Sequence, residues 1–354
     1  MSKNLPFLFL FLGLVNGGGN PPYSWFHYED VYSPTPIVYV DQSGLKNFTT
    51  IQSAIDAIPS NNLHWICISI MPGIYREKVT IPSDKQYIYL KGAGMRRTIV
   101  VWDDSESLVE SPTFTSNADN IKVEKLQFVN SYNYPLKSAA SRRPLKPAVA
   151  AMINGDNTAF YKCGFAGVQD TLLDAQGRHY FKSCIIEGAI DFIFGAGQSL
   201  YKDCKIVVNI GSLGEGTTIG SVTAQGRSGA TDSNAFVFKN CDVVGKGRAL
   251  LGRAWRKYST TIFINSFFSD IIVPEGWDAW NYKGSEKQLT YAEVNCNGPG
   301  SDTSKRVSWA SQLSPKMVNH FIDIDFINND RWLNKQPYYP GQRTLGGGQQ
   351  GRSP

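Results

Sequence analysis

Phe160-Tyr161-Lys162-Cys163-Gly164-Phe165 and Phe181-Lys182-Ser183-Cys184-Ile185-Ile186 decide the fold. Tyr201-Lys202-Asp203-Cys204-Lys205-Ile206 and Phe238-Lys239-Asn240-Cys241-Asp242-Val243 repeat the pattern. Each segment reads aromatic, polar, Cys, then an apolar residue two positions on. Val123 to Asn130 and Ile262 to Phe268 fit more loosely, with Leu126 and Ser266 at the Cys position. The steps between these positions are 37, 21, 20, 37 and 25 residues. A period near 21 with longer insertions predicts a parallel β-helix of about three short strands per coil, coils stacking at roughly 4.8 Å. Like residues then form ladders inside, and the insertions become long loops on one face. An antiparallel sandwich competes, but its Asn-Gly hairpin signal occurs only at Asn16, Asn154 and Asn297.

The composition agrees. The chain has 354 residues, of which 42% are apolar, 12% aromatic and only 18% charged. Aromatic and β-branched richness excludes a disordered chain and favours strands. One short helix is expected near the start, where Thr50 caps the apolar set Ile51, Ala54, Ile55 and Ile58, and Pro59 stops it. Beyond it the helical period disappears.

At the N-terminus, Lys3 precedes the apolar run Leu5 to Val15, and Gly17 to Gly19 follow. This predicts a secretory signal peptide over 1–19, because a membrane span needs roughly 20 apolar residues. Residues 20–35 are a Pro- and aromatic-rich leader, 36–335 one all-β domain, and 336–354 a Gly-rich tail. Secretion permits disulfides and gives meaning to the sequon at Asn47. The net charge of +5 carries no Lys/Arg run, so nucleic acid is not an expected partner; the mild excess fits either an acidic partner such as a polyanionic polysaccharide or charge that serves solubility alone.

The repeat phase also reveals candidate chemistry. Asp170 lies seven residues after Cys163, and Asp191 seven after Cys184. In register, the two carboxylates sit on adjacent coils roughly 5 Å apart at Cα. Carboxylates that close cannot both ionise freely, which yields one nucleophile or base and one protonated acid. The alternative is a turn Asp beside a separately paired one. Gln169 offers an amide donor for a developing oxyanion. Arg253 can hold Asp191 by a bidentate contact. Trp255, Trp277 and Trp280 are candidate sugar platforms or core residues. His179 sits at a repeat position and reads as structural. No metal-ligand motif or cofactor fingerprint occurs, so neither a metal nor a cofactor is expected.

At these residues the chain resembles the plant pectin methylesterase family. Gly73-Ile74-Tyr75-Arg76-Glu77 is similar to G-x-Y-x-E, and Gln169-Asp170-Thr171-Leu172 to Q-D-T-L. Asp191-Phe192-Ile193-Phe194-Gly195 is similar to D-F-I-F-G, and Leu251-Gly252-Arg253-Ala254-Trp255 to L-G-R-P-W with Ala for Pro. The resemblance implies an all-β, right-handed, single-stranded parallel β-helix enzyme that hydrolyses methyl esters of polygalacturonate without a cofactor. It implies Asp191 as nucleophile, Asp170 as acid and then base, Gln169 as oxyanion stabiliser and Arg253 as the positioner of Asp191. It places Thr113, Phe192, Arg253, Trp255 and Trp280 at the substrate, and Cys204–Cys241 as a disulfide. It implies methyl-esterified homogalacturonan as partner, a proteinaceous inhibitor as another, a monomer, and a cell-wall location. The inhibitor-like pro-region of many members is not found. One position departs: Pro147, in Pro147-Ala148-Val149-Ala150-Ala151, stands where the family's Q-A-V-A-L has an oxyanion-donating Gln. Pro has neither a side-chain donor nor an N–H. An impaired pectin-binding or inhibitor-binding wall protein is therefore the rival reading. A β-helix lyase or polygalacturonase would carry other signatures.

Overall fold

The computed structural model describes residues 35–135, 143–210 and 219–337. The signal peptide, nearly all of the leader and nearly all of the tail fall outside the described residues. Three all-parallel sheets wind around one interior. The first has ten strands, from Ile37–Val40 to Thr290–Val294. The second has eight, from Val79–Ile81 to Trp277–Asp278. The third also has eight, from Gly73–Arg76 to Phe267–Phe268. Every neighbouring pair is one coil apart, which is the expected parallel β-helix.

The repeat now has a physical meaning. Its aromatic positions are a stack in the first sheet: Phe160 on Phe181, Phe181 on Tyr201, Tyr201 on Phe238, and Phe238 on Phe263, with centroids 5.1, 4.5, 4.5 and 4.5 Å apart. Such pairs add about 0.5–1.5 kcal/mol each beyond burial. The polar position before each Cys turns the chain towards the third sheet with a left-handed residue: Lys162, Ser183, Asp203 and Asn240 have φ of 53–55°. Leu126, Ser266 and Cys296 also follow left-handed residues, Lys125, Asn265 and Asn295. Cys296 is thus a seventh coil marker that the spacing alone did not reveal.

The expected Cys204–Cys241 disulfide is not formed. All six cysteines are free, and Cys204 and Cys241 are buried. Lys202 pairs with Lys239 and Lys205 with Asp242, so the two thiols are ladder neighbours whose side chains point the same way. Each Sγ lies near strand-end carbonyls instead, Cys204 at 3.4 Å from Phe181 O and Cys241 at 3.4 Å from Tyr201 O. A bridge needs Cβ atoms at about 3.8 Å. In-register coils at about 4.8 Å hold them further apart.

Helix α1 (Ile51–Asp56) begins as expected, with the Thr50 hydroxyl accepting from Ser53 N at 3.2 Å. Ile51, Ala54 and Ile55 cover the open end of the coil stack. Glu77, the last residue of the G-x-Y-x-E motif, accepts from Ile51 N and Gln52 N at 2.9 Å each. A carboxylate there satisfies two orphan amides and the helix dipole together.

The expectation that helices end there was wrong. Helices α2 (Pro315–Ile322) and α3 (Asp325–Asn328) follow the last coil. Phe321, Phe326 and Trp332 pack on the outer face of the first sheet, against Leu200, Val237 and Ile262. Eight and four residues are too few for a helical period to stand out in the sequence. Only the Ser314 cap and Pro315 mark the start.

Candidate active site

The second sheet carries the candidate residues. The turn Gly167 to Asp170 stacks on the turn Gly188 to Asp191. Ala189 N donates to Val168 O at 2.7 Å, and Asp170 N donates to Ile190 O at 3.0 Å. Gln169 bridges Ile190, and Leu172 pairs with Ile193, so Asp170 and Asp191 are register partners. Both take left-handed backbone, with φ of 60° and 47°. Left-handed residues also turn the chain at Lys162, Ser183, Asp203 and Asn240, so the same turn device of this fold sets the direction of the two carboxylates. Gly188 permits this turn, since a Cβ on it would lie 2.2 Å from Phe192 Cβ.

The two carboxylates have different surroundings. Asp191 is 7% exposed and gripped by Arg253, whose Nε donates to Oδ1 at 2.7 Å and whose Nη2 donates to Oδ2. Ser221 adds a second grip: its hydroxyl donates to Asp191 Oδ1 and accepts from Asp191 N at 3.1 Å. Nothing in the sequence singles out Ser221. It is a buried polar residue on a strand, recognisable only by what faces it. Asp170 is 9% exposed and has no such ion pair among the described residues. Burial, then the negative charge of Asp191, push its carboxyl up to about 7, against the opposing pull of Arg253. One carboxyl is therefore clamped by two donors while the other keeps its proton up to near neutrality.

Arg253 is itself fixed. Burial opposes its charge, but the ion pair with Asp191 outweighs this and strengthens its protonation. Its guanidinium lies 4.0 Å from the centroid of the Trp280 ring. Trp280 N donates to Asp278 Oδ1 at 2.9 Å, and Asp278 is the register partner of Arg253.

The remaining candidates divide by accessibility. Gln169 is half-buried beside Asp170, and its amide donates no hydrogen bond among the described residues. Trp280 and Trp255 are half-buried, Trp255 leaning on Phe194 with centroids 5.9 Å apart. Trp277, by contrast, is core, stacked on Tyr291 at 4.7 Å. Phe192 is fully buried and backs the turn of Asp191 from inside. Thr113 is fully buried too, its hydroxyl donating to Val129 O at 3.0 Å. Neither offers a surface to a ligand in this conformation. Pro147 precedes Ala148, whose N donates to Gln169 O at 3.1 Å, so the departure sits on the coil next to Gln169. The Lys146 ammonium beside it is engaged by Glu106 at 3.1 Å. His179 is buried, its Nδ1 against Asp174 at 2.5 Å and its Nε2 against Gly155 O at 3.0 Å. Among the described residues no group of His, Cys, Asp and Glu could hold a metal.

Known proteins resemble the chain over most of its length. Residues 37–330 match the sequence model of the Pectinesterase family. The chain is 56% identical over 300 residues to Probable pectinesterase 55 of Arabidopsis thaliana, covering 85% of this chain and 91% of the relative. It is 53% identical over 300 residues to Probable pectinesterase 29 of Arabidopsis thaliana, covering 85% and 89%. Among solved structures it resembles the pectin methylesterase from carrot, with TM-score 0.77, 27% identity, and coverage of 88% of this chain and 99% of that one. With the coil register, the paired aspartates and these likenesses all spanning the same residues, the chain belongs to the pectinesterase family.

Proposed function

We propose that the protein is a pectinesterase that removes methyl esters from polygalacturonate and releases methanol. The observation that carries this reading is the unequal aspartate pair: Asp191 held by Arg253 and Ser221, and Asp170 raised to about 7. In this mechanism an Asp191 oxygen attacks the ester carbonyl carbon. The carbonyl oxygen becomes an oxyanion facing the free Gln169 amide. The carbon–methoxy bond then breaks, and Asp170 gives its proton to the departing oxygen, forming methanol. An acyl-enzyme anhydride to Asp191 remains. Asp170, now ionised, takes a proton from water, which attacks the acyl carbon. Asp191 leaves as carboxylate, and the free uronic acid is the product.

Trp280 and Trp255 serve as the half-buried aromatic surfaces of the substrate cleft, while Thr113 and Phe192 act from the interior on the strands that carry it. Secretion to the cell wall, a glycan on Asn47, a monomeric state and capture by a proteinaceous inhibitor complete the proposal. Asn47 Oδ1 accepts from Tyr39 N at 3.0 Å, leaving its Nδ2 available for a glycan. Methanol release from highly methylated pectin tests the activity. No release by purified wild-type protein across pH 4–9, with the fold intact by circular dichroism, removes the enzyme reading in favour of a pectin-binding protein. New reducing ends or an unsaturated product absorbing in the ultraviolet points instead to chain cleavage.

A further inference from the structure

Asp191 owes part of its setting to Arg253, and Arg253 is set in turn by one ring. Among the described residues the guanidinium hydrogen-bonds to nothing except Asp191, through Nε and Nη2. It lies against Trp280, 4.0 Å from the ring centroid. A guanidinium over an indole face is attracted by the ring and stacks upon it. The direction in which Trp280 points therefore governs the angle from which Arg253 meets Asp191.

Trp280 does not reach that position by a preference of its own. Its φ is 50°, in the left-handed region. Most left-handed corners of this fold are Asn, Asp, Lys or Ser, and among the described residues Tyr87 and Trp280 are the only aromatic ones. Asn and Asp tolerate this region because their short polar side chains hydrogen-bond locally, a bond that an indole ring does not make for itself. Here the bond comes from two residues upstream: Trp280 N donates to Asp278 Oδ1 at 2.9 Å, closing an Asx turn. Ala279, between them, has no side chain that could cap the short 3-10 helix Trp280–Tyr282. The strand Trp277–Asp278 is anchored separately. Trp277 Nε1 donates to Glu293 Oε1 at 3.1 Å, and Arg306 Nε donates to the same oxygen at 2.8 Å. Those contacts fix the chain up to Asp278, and the bend beyond it falls to the Asp278 carboxylate.

We propose that Asp278 is a positioning residue for the ester hydrolysis: its hydrogen bond to Trp280 N, rather than its charge, sets the ring that sets Arg253 on Asp191. The assignment rests on the pectinesterase reading above. Asp278 acts through two intermediaries and makes no hydrogen bond of its own with Asp191 among the described residues.

Asp278→Ala removes the bond, whereas Asp278→Asn keeps the accepting oxygen and removes the charge. By methanol release from highly methylated pectin, Asp278→Ala lowers kcat about tenfold with KM within about threefold of wild type, and Asp278→Asn keeps at least about half the rate. In a Trp280→Leu background the further loss from Asp278→Ala disappears, because the two residues act in one chain. The Arg253 Nε–H nuclear magnetic resonance signal, shifted by the ring current of Trp280 and assigned by its loss in Arg253→Lys, moves in Asp278→Ala and stays in place in Asp278→Asn. A rate within about twofold of wild type in Asp278→Ala, equal losses in the Ala and Asn variants, or losses that add to that of Trp280→Leu overturns the proposal. So does a raised KM at unchanged kcat, which leaves Asp278 supporting the aromatic surface alone. The resonance is read without substrate, so a signal unmoved in Asp278→Ala defeats the positioning chain by itself. Absence of methanol release from the wild type instead defeats the pectinesterase reading.

Discussion

Asp170 and Asp191 occupy the same position on successive coils, one carboxyl raised to about 7 and the other clamped by Arg253 and Ser221. The fold creates this inequality. Parallel in-register stacking forces two carboxylates together, and only from two coils further on does a cation, Arg253, reach back to them. Removing either carboxylate should be severe. Asp191→Ala is expected to lower kcat by at least about 10³-fold, as the loss of a nucleophile acting in concert with its partners does. Methanol release with circular dichroism as a fold control checks it. A rate within tenfold of wild type removes Asp191 as nucleophile.

The raised Asp170 carboxyl predicts a pH profile. The proposed first step needs Asp170 protonated, so kcat/KM should decline as pH rises through about 7. A profile flat from pH 6 to 9 contradicts the acid role.

The same shift predicts a stability effect of opposite use. The ordinary Asp value is near 3.8 and the folded value about 7. Between them the unfolded chain has lost a proton that the folded one retains, so stability falls as pH rises across this window and stays lowered above it. Asp170→Asn removes the buried charge, and is expected to raise Tm by several degrees at pH 8 while leaving it nearly unchanged at pH 4. Calorimetry at the two pH values decides; equal shifts at both exclude this origin.

Ser221 should act through Asp191 without touching substrate. Ser221→Ala is expected to reduce kcat about tenfold with KM nearly constant, in line with the ~1.5–3 kcal/mol of a hydrogen bond to a charged group. Ser221→Thr, which keeps the hydroxyl, should restore most of the rate. Equal losses in both variants would indicate packing rather than positioning.

Pro147→Gln returns an amide to the coil beside Gln169. One oxyanion donor contributes about 10²–10³ in rate, so the substitution is expected to raise kcat by at least tenfold. An unchanged rate assigns the oxyanion to Gln169 alone.

Much of this was legible before any coordinates. The spacing of Cys163, Cys184, Cys204 and Cys241 gave the coil phase, and the phase placed Asp170 against Asp191, because parallel in-register stacking turns equal sequence offsets into contacts. Thr50 and Ile51 marked α1 through local capping chemistry. The Cys pairing was misread, since a repeat shows which thiols are neighbours but not that their Cβ atoms lie too far apart to bridge. Thr113 and Phe192, expected at the substrate, lie inside, because motif membership does not fix which face of a strand a side chain takes.

By itself, then, the sequence determined periodicity: one β-helix, its stacked aromatics and a pair of carboxylates at one phase. The tertiary structure alone decided what depends on contacts across coils of unequal length. Ser221 reaches Asp191 from 30 residues away, over an insertion that no period spans, and joins there the Arg253 grip that the sequence had already suggested. The split in character between Asp170 and Asp191 is likewise a matter of which buried neighbours each meets, and burial and charge placement are properties of the folded assembly of coils.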